Sequence, residues 1–343
     1  MNKKIIVILI VAIILLNGCA LKESSNVLNV LNWSSYIPDS VIRDFEDETG
    51  IIVNYGTYSS NEECLAKVQS AKEGTYDLIF PSDYMIELMI KRDLIQKMDL
   101  SQLTNLGNIN PNYLGLSYDK NNDYSVPFIA ASVVIAVNRD LISDEITTYQ
   151  DLLSKNYRND IVMLDDQRIV IGMALLALGY DMNETDPVKL EEAKDWLLEL
   201  KPNIKAYDSD SPKTFLISKE TALGVIWNAE AALAVQENPN IEVIIPEEGF
   251  AISIDNFAIP KNAKHVENAY RFIDYILRDD VMVKIIEDYP YKNVNKKAEA
   301  SLPESYLKNH AANINDAVFH RGTFVENIGE DIVHYDKLWA EIK

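Results

Sequence analysis

Two short stretches set large aromatic rings where a β-strand has just run out: Trp33-Ser34-Ser35-Tyr36 and Pro81-Ser82-Asp83-Tyr84. In a parallel α/β sheet, ligands sit beyond the carboxyl ends of the strands. Trp33, Tyr36 and Tyr84 therefore aim at one crevice, although spacing alone leaves a core-packing role open for each ring. Groups for catalysis are harder to assemble. His265, His310, His320 and His334 fall late and scattered, without the spacing of metal ligands. There is no Gly-x-Ser-x-Gly, no phosphate-cradling P-loop and no Gly-x-Gly-x-x-Gly, and Cys64 stands in an ordinary helical context, Glu63-Cys64-Leu65. Absence of a motif does not exclude catalysis, but it moves the weight towards binding.

The elements that must position those rings follow from periodicity. Val27 to Asn32 reads as a strand, Pro38 opens a helix whose Val41, Ile42 and Phe45 recur at helical spacing, and Gly50 stops it. Ile51 to Tyr58 is the next strand, Ser60 with Glu63 forms a capping box for a helix through Lys72, and Tyr76 to Phe80 is a buried strand. This β-α-β-α-β order implies a parallel sheet with helices on its faces. A second α/β pattern follows: strands at Ser132–Asn138 and Ile161–Leu164, helices near Ile171–Leu178 and Lys189–Leu200, a strand closed by Val225-Ile226-Trp227-Asn228, and a strand at Ile241–Ile245. A strong helix at Val266–Arg278 comes last. Without repeats, low-complexity tracts or a floppy linker, two lobes joined by β segments suit a hinge.

The chain of 343 residues opens with Lys3, Lys4 and an apolar run from Ile5 to Leu16, ending in Leu16-Asn17-Gly18-Cys19. These are the features of a secretory signal over residues 1–18. The run is shorter than the ~20 residues a bilayer-spanning helix needs. Leu-x-Gly-Cys resembles the bacterial lipobox, which makes Cys19 the lipidated first residue of the mature protein; ordinary secretion with Cys19 incidental is the alternative. Cys64 is then the one remaining thiol, so no disulfide framework forms within the chain. Roughly 320 residues remain, more than one core usually holds. With Lys3 and Lys4 removed, 30 basic residues face 53 acidic ones, a formal charge of −23. Such a surface repels nucleic acid and attracts cations, though solubility alone also accounts for it.

The stretches NWSSYIPDSVIRDFEDETGI, TYSSNE, YDLIFPSDYMIELM, NNDYSVPFIAASVVIAVN, LDDQRIV, LGVIWNAEAA and AISIDNFAIPKNAKHVENAYRFIDYILRDDV resemble, in the same order, the spermidine/putrescine-binding proteins of bacterial ABC importers. The resemblance implies an α/β, two-lobed periplasmic-binding-protein fold of type II-like character. Each lobe is a mixed, mostly parallel sheet flanked by helices, with β crossovers near Ala131–Val133 and Gly249–Ile254 as the hinge. Lobe 1 spans 27–131 and 254–298, and lobe 2 spans 132–253 and 299–343. It further implies an extracytoplasmic monomer, lipid-anchored at the cell membrane through Cys19, that delivers a polyamine to a membrane permease driven by a separate ATPase. No cofactor, metal or nucleic acid is implied.

Carried over motif by motif, Trp33, Tyr36, Tyr84, Trp227 and Tyr289 wall the cleft. Asp166 and Asp255 hold ammonium groups, Glu230 falls where several relatives have an acid, and Ser34 and Ser82 supply polar contacts. Flat rings cover methylenes and attract cations at about 0.5–2 kcal/mol each, and a carboxylate on each nitrogen adds about 1.5–3 kcal/mol. The chain departs from the family pattern at Ser35, Ile169, Ser253 and Val325, losing two acids, an aromatic and a glutamine. Those losses weaken a triamine site and still suit a diamine. They also keep open a sensor or surface interaction lipoprotein with an altered cleft. An enzyme on the same scaffold requires a base and nucleophile converging in that cleft.

Overall fold

Alternating apolar side chains make Val27–Trp33 the strand β1, after which Pro38 takes the N-cap position of helix α1, Asp39–Thr49, just outside the first helical turn. Gly50 ends α1 in the left-handed conformation at φ 69°, its N–H donating to Glu46 O. Strand β2, Ile52–Tyr58, and helix α2, Asn61–Ser70, follow. Ser60 accepts from the Glu63 N–H, while Glu63 reaches back to the Ser59 N–H at 2.8 Å and not to that of Ser60. Strand β3 is only Leu78–Ile79, because the buried Asp77 carboxylate takes the Asn29 N–H at 2.9 Å, a group the ladder would otherwise use. Helix α3, Asp83–Lys91, starts at once. The Ser82-Asp83-Tyr84 turn is thus a helix N-terminus. The computed structural model describes residues 26–343, so the expected signal sequence and Cys19 lie outside the described residues.

Strand β4 runs from Ser125 to Asn138, twice the length that periodicity suggests, and every residue in it is buried. Beyond it come β5 (Ile161–Met163), α4 (Gln167–Ala177), α5 (Pro187–Leu200), β6 (Ile204–Tyr207), α6 (Lys213–Ile217), β7 (Leu223–Trp227), α7 (Asn228–Glu237) and β8 (Ile241–Ile244). The chain then forms β9 (Ala251–Ala258), α8 (Val266–Ile276), α9 (Asp279–Asp288), β10 (Lys292–Asn293), α10 (Glu304–Lys308), α11 (Asp316–Phe319), β11 (Thr323–Phe324) and α12 (Ile332–Ile342). Sequence periodicity missed α12, which packs on α4 and α5.

The sheet runs β2-β1-β3-β9-β4-β7-β5-β6. Strands β1, β2 and β3 are mutually parallel, as are β5, β6 and β7, while β9 runs against β3 and β4, β4 runs against β7, and the short β11 lies parallel to β9. Residues 125–132 of β4 pair with β9, and from Val133 onward β4 pairs with β7 and β8. One strand thereby changes partners between Ser132 and Val133. Pro127 lacks an N–H, and the β4–β9 register slips beside it.

Two apolar cores lie on opposite faces of this sheet. Leu28, Val30, Leu78, Phe80, Val134 and Ala136 belong to one, and Leu31, Ile79, Val133, Ile135 and Val137 to the other. From Val133 to Val137 strand alternation separates them. The segment between β10 and β11 touches both lobes: Tyr306 Oη donates to Tyr291 O at 3.0 Å, and Asn309 Nδ2 to Ala232 O at 3.0 Å. Among the described residues no helix is long and apolar enough to cross a membrane.

At the start of β11, Gly322 lies so close to β9 that an added Cβ would strike Ile252 Cγ2 and stand 2.9 Å from Phe250 Cε2. Gly322→Ala is therefore expected to destabilise by about 1–3 kcal/mol. Gly107→Ala, with nothing within 4 Å of the added carbon, is the control that leaves the thermal midpoint in place.

Candidate functional site

The turn after β1 is tight because Ser35 adopts φ 55°, a left-handed conformation rare outside glycine. It carries Trp33 and Tyr36 out of the strand with ring centroids 6.1 Å apart and planes 29° from parallel. The Trp33 indole is fixed at its edge, Nε1 donating to Phe80 O at 2.9 Å, and Tyr58 Oη donates to the same carbonyl at 2.7 Å. The turn after β1 and the end of β2 are thereby tied to the residue that follows β3.

Asp255, on β9, is 2% exposed. Tyr36 Oη donates to its Oδ2 at 2.7 Å, and Ser82 Oγ to its Oδ1 at 2.6 Å. Ser82 is held in turn by Asn61, whose Nδ2 donates to Ser82 Oγ at 3.0 Å while its Oδ1 accepts the Ser82 N–H at 3.1 Å. Burial lifts the Asp255 carboxyl to about 6, against the downward pull of both hydroxyls. Asp83, pushed by burial to about 8, accepts the Ile254 N–H at 2.9 Å and so pins α3 to β9.

The opposite wall comes from the second lobe. Asp166 caps α4, its Oδ1 accepting from the Arg168 and Ile169 N–H groups at 2.9 and 3.1 Å, which is why the helix begins four residues before Ile171. Burial holds the Asp166 carboxyl above its usual range, with Arg168 and the backbone donors opposing. The Arg168 guanidinium lies between the rings of Tyr335, 4.9 Å from its centroid, and Tyr84, 5.8 Å away. Tyr84 Oη donates to Glu62 Oε1 at 3.0 Å, and burial together with Asp166 raises the Glu62 carboxyl. Trp227 ends β7, and Glu230 lies in the first turn of α7 with Lys213 Nζ 2.8 Å from each of its oxygens. Across the cleft, Ser34 Oγ donates to Asp210 Oδ1 at 2.5 Å.

These groups line one cavity. Of the residues expected at the site, Trp33, Ser34, Tyr36, Ser82, Tyr84, Asp166, Trp227, Glu230 and Asp255 line it. Tyr289 does not. Its hydroxyl faces Ser35, and the lining tyrosine is Tyr291, whose ring is 4.7 Å from that of Tyr36. The cause is local: the Tyr291 N–H donates to Tyr289 O at 2.8 Å, a γ-turn about Pro290 that redirects the chain. The four substituted positions, Ser35, Ile169, Ser253 and Val325, are all in the wall. Sequence reading missed Asn61, Asp210 and Tyr291; only Asn61, beside the Ser60 cap, carried a local signal.

Chemically, the cavity offers carboxylates on two facing walls with π faces between them, an arrangement that holds extended cations. Among the described residues no cluster of His, Cys, Asp and Glu is suited to a metal ion. The Cys64 thiol is buried and pushed up to about 12, which removes thiolate chemistry near neutrality.

Residues 40–313 match the family described as bacterial extracellular solute-binding protein. The chain is 37% identical over 322 residues to the spermidine/putrescine-binding periplasmic protein of Salmonella typhimurium, covering 94% of this chain and 92% of that protein. It matches the protein of the same name from Escherichia coli to the same extent. Among solved structures, a putative spermidine/putrescine ABC transporter from Listeria monocytogenes superposes with a TM-score of 0.89 at 32% identity, covering 92% of this chain and 98% of that one.

Asp255 gives the site a pH signature. A carboxyl at about 6 in the fold and 3.8 unfolded stabilises the protein while protonated. That contribution is present below about pH 4 and is lost as pH rises through about 6. For the ligand-free protein, the melting-temperature advantage of Asp255→Asn over wild type should therefore grow between pH 4 and pH 7.5. A gap that stays constant over this range would contradict the burial of an ionisable Asp255.

Proposed function

The chain belongs to the bacterial extracellular solute-binding proteins, and from that premise we propose that it captures a polyamine of the putrescine or spermidine kind for an ABC importer. The observation that carries this reading is Asp255, a buried carboxylate held by the hydroxyls of Tyr36 and Ser82 among aromatic rings in a cavity walled by both lobes.

A polyamine is a string of methylenes between ammonium groups. Trp33, Tyr36, Tyr84 and Trp227 cover the methylenes, with Tyr291 in the place first given to Tyr289. Asp255 on one lobe and Asp166 on the other take the ammonium ends, and Ser34 and Ser82 set the orientation of the carboxylates and the turn. A cation that touches both walls favours the closed arrangement, since a ligand shifts an equilibrium only by its differential affinity for the two states. We divide the lobes at the partner exchange in β4, with 27–131 and 254–298 forming one and 132–253 and 299–343 the other. The protein works as a monomer outside the cytoplasm, anchored by lipid on Cys19, and hands its cargo to a permease served by a separate ATPase. Binding, not turnover, is the activity assigned.

Titration of residues 20–343 with putrescine, cadaverine, spermidine and spermine should give low-micromolar or tighter binding of at least one amine, about −8 kcal/mol. Asp255→Asn should weaken it by roughly 10- to 150-fold, the loss of one charge-assisted hydrogen bond. If no amine binds the wild type, a sensor or altered-ligand receptor replaces the transport reading. Cys19→Ser should release the full-length protein from the membrane fraction; retention would sink the lipid anchor.

A further inference from the structure

An ammonium group of the protein's own stands behind the cleft wall. Lys213, at the start of α6, places Nζ 2.8 Å from both oxygens of Glu230, and only 7% of the Glu230 side chain is exposed. Glu230 lines the cavity while Lys213 approaches from behind the wall. Four carboxylates line the cavity, Asp166, Asp210, Glu230 and Asp255, against one guanidinium, Arg168. None of Asp166, Asp210 and Asp255 enters a salt bridge among the described residues. Lys213 adds a second cation to this balance, leaving two uncompensated negative charges on the lining. Glu62 stands outside that lining, joined to the Tyr84 hydroxyl.

We propose that Lys213 is a specificity-determining residue, a built-in ammonium that occupies Glu230 and so restricts the pocket to ligands with two cationic nitrogens in preference to three. A third ammonium arriving at Glu230 must break two charge-assisted hydrogen bonds and then remain beside the displaced Lys213. A diamine finds its two partners elsewhere in the cavity and leaves the internal pair intact. The proposal rests on the amine-binding reading above and adds to it the size class of the cargo.

The test is calorimetric titration of wild type, Lys213→Met, Lys213→Gln and the double variant Lys213→Met/Glu230→Gln with putrescine and spermidine. Both single variants should shift the affinity ratio towards spermidine by about tenfold or more, and the double variant should restore the wild-type ratio because the freed carboxylate is gone. A purely structural Lys213–Glu230 pair would lower stability without moving the ratio. An unchanged ratio in a folded single variant overturns the role of Lys213 while the amine reading stands. Failure of wild type to bind either amine removes that reading and this proposal with it.

Discussion

A carboxylate buried on an interior strand must find donors inside the protein, and the site is organised around how Asp255 finds them. Tyr36 comes from the turn after β1, Ser82 from the turn after β3, and the aspartate itself from β9. Three separate chain segments are thereby held to distances of 2.6–2.7 Å about one group. The rings that share those turns are positioned as a consequence: Trp33 leaves β1 three residues before Tyr36, and Tyr84 follows Ser82 by two.

The arrangement costs local stability. Ser82 occupies the N-cap position of α3 but makes no cap, because its hydroxyl is given to Asp255. A cap of that kind is commonly worth about 1 kcal/mol. Asp166 solves the same problem differently, spending one oxygen on the α4 cap. Asp166 therefore sits where a helix end meets the cavity, and the backbone donors there favour the ionised form that burial opposes.

Shape follows from β4. A strand that pairs with β9 in its first half and with β7 and β8 in its second carries one hydrogen-bonded backbone through both lobes. Around the cavity the two walls meet through polar and cation–π contacts, such as Ser34 with Asp210 and Arg168 over Tyr84, while both apolar cores continue past the partner exchange in β4.

The sequence by itself determined what is local. Periods of two and 3.6 residues placed β1, β2, α1, α2, α5 and α8 to within a few residues while missing α9, α12 and half of β4, and the Ser60 cap, the Gly50 stop and the aromatic turns were legible because each depends on neighbours in the chain. Family-like motifs extended this to nine residues that line the cavity. What tertiary structure alone decided is pairing across distance and direction within a turn. Tyr291 replaces Tyr289 because a γ-turn reverses the expected face. β4 is long because different strands pair with each half of it. Lys213 neutralises Glu230 from a separate helix 17 residues away. Charges carry no address in sequence; only the fold determines which carboxylate already has its cation.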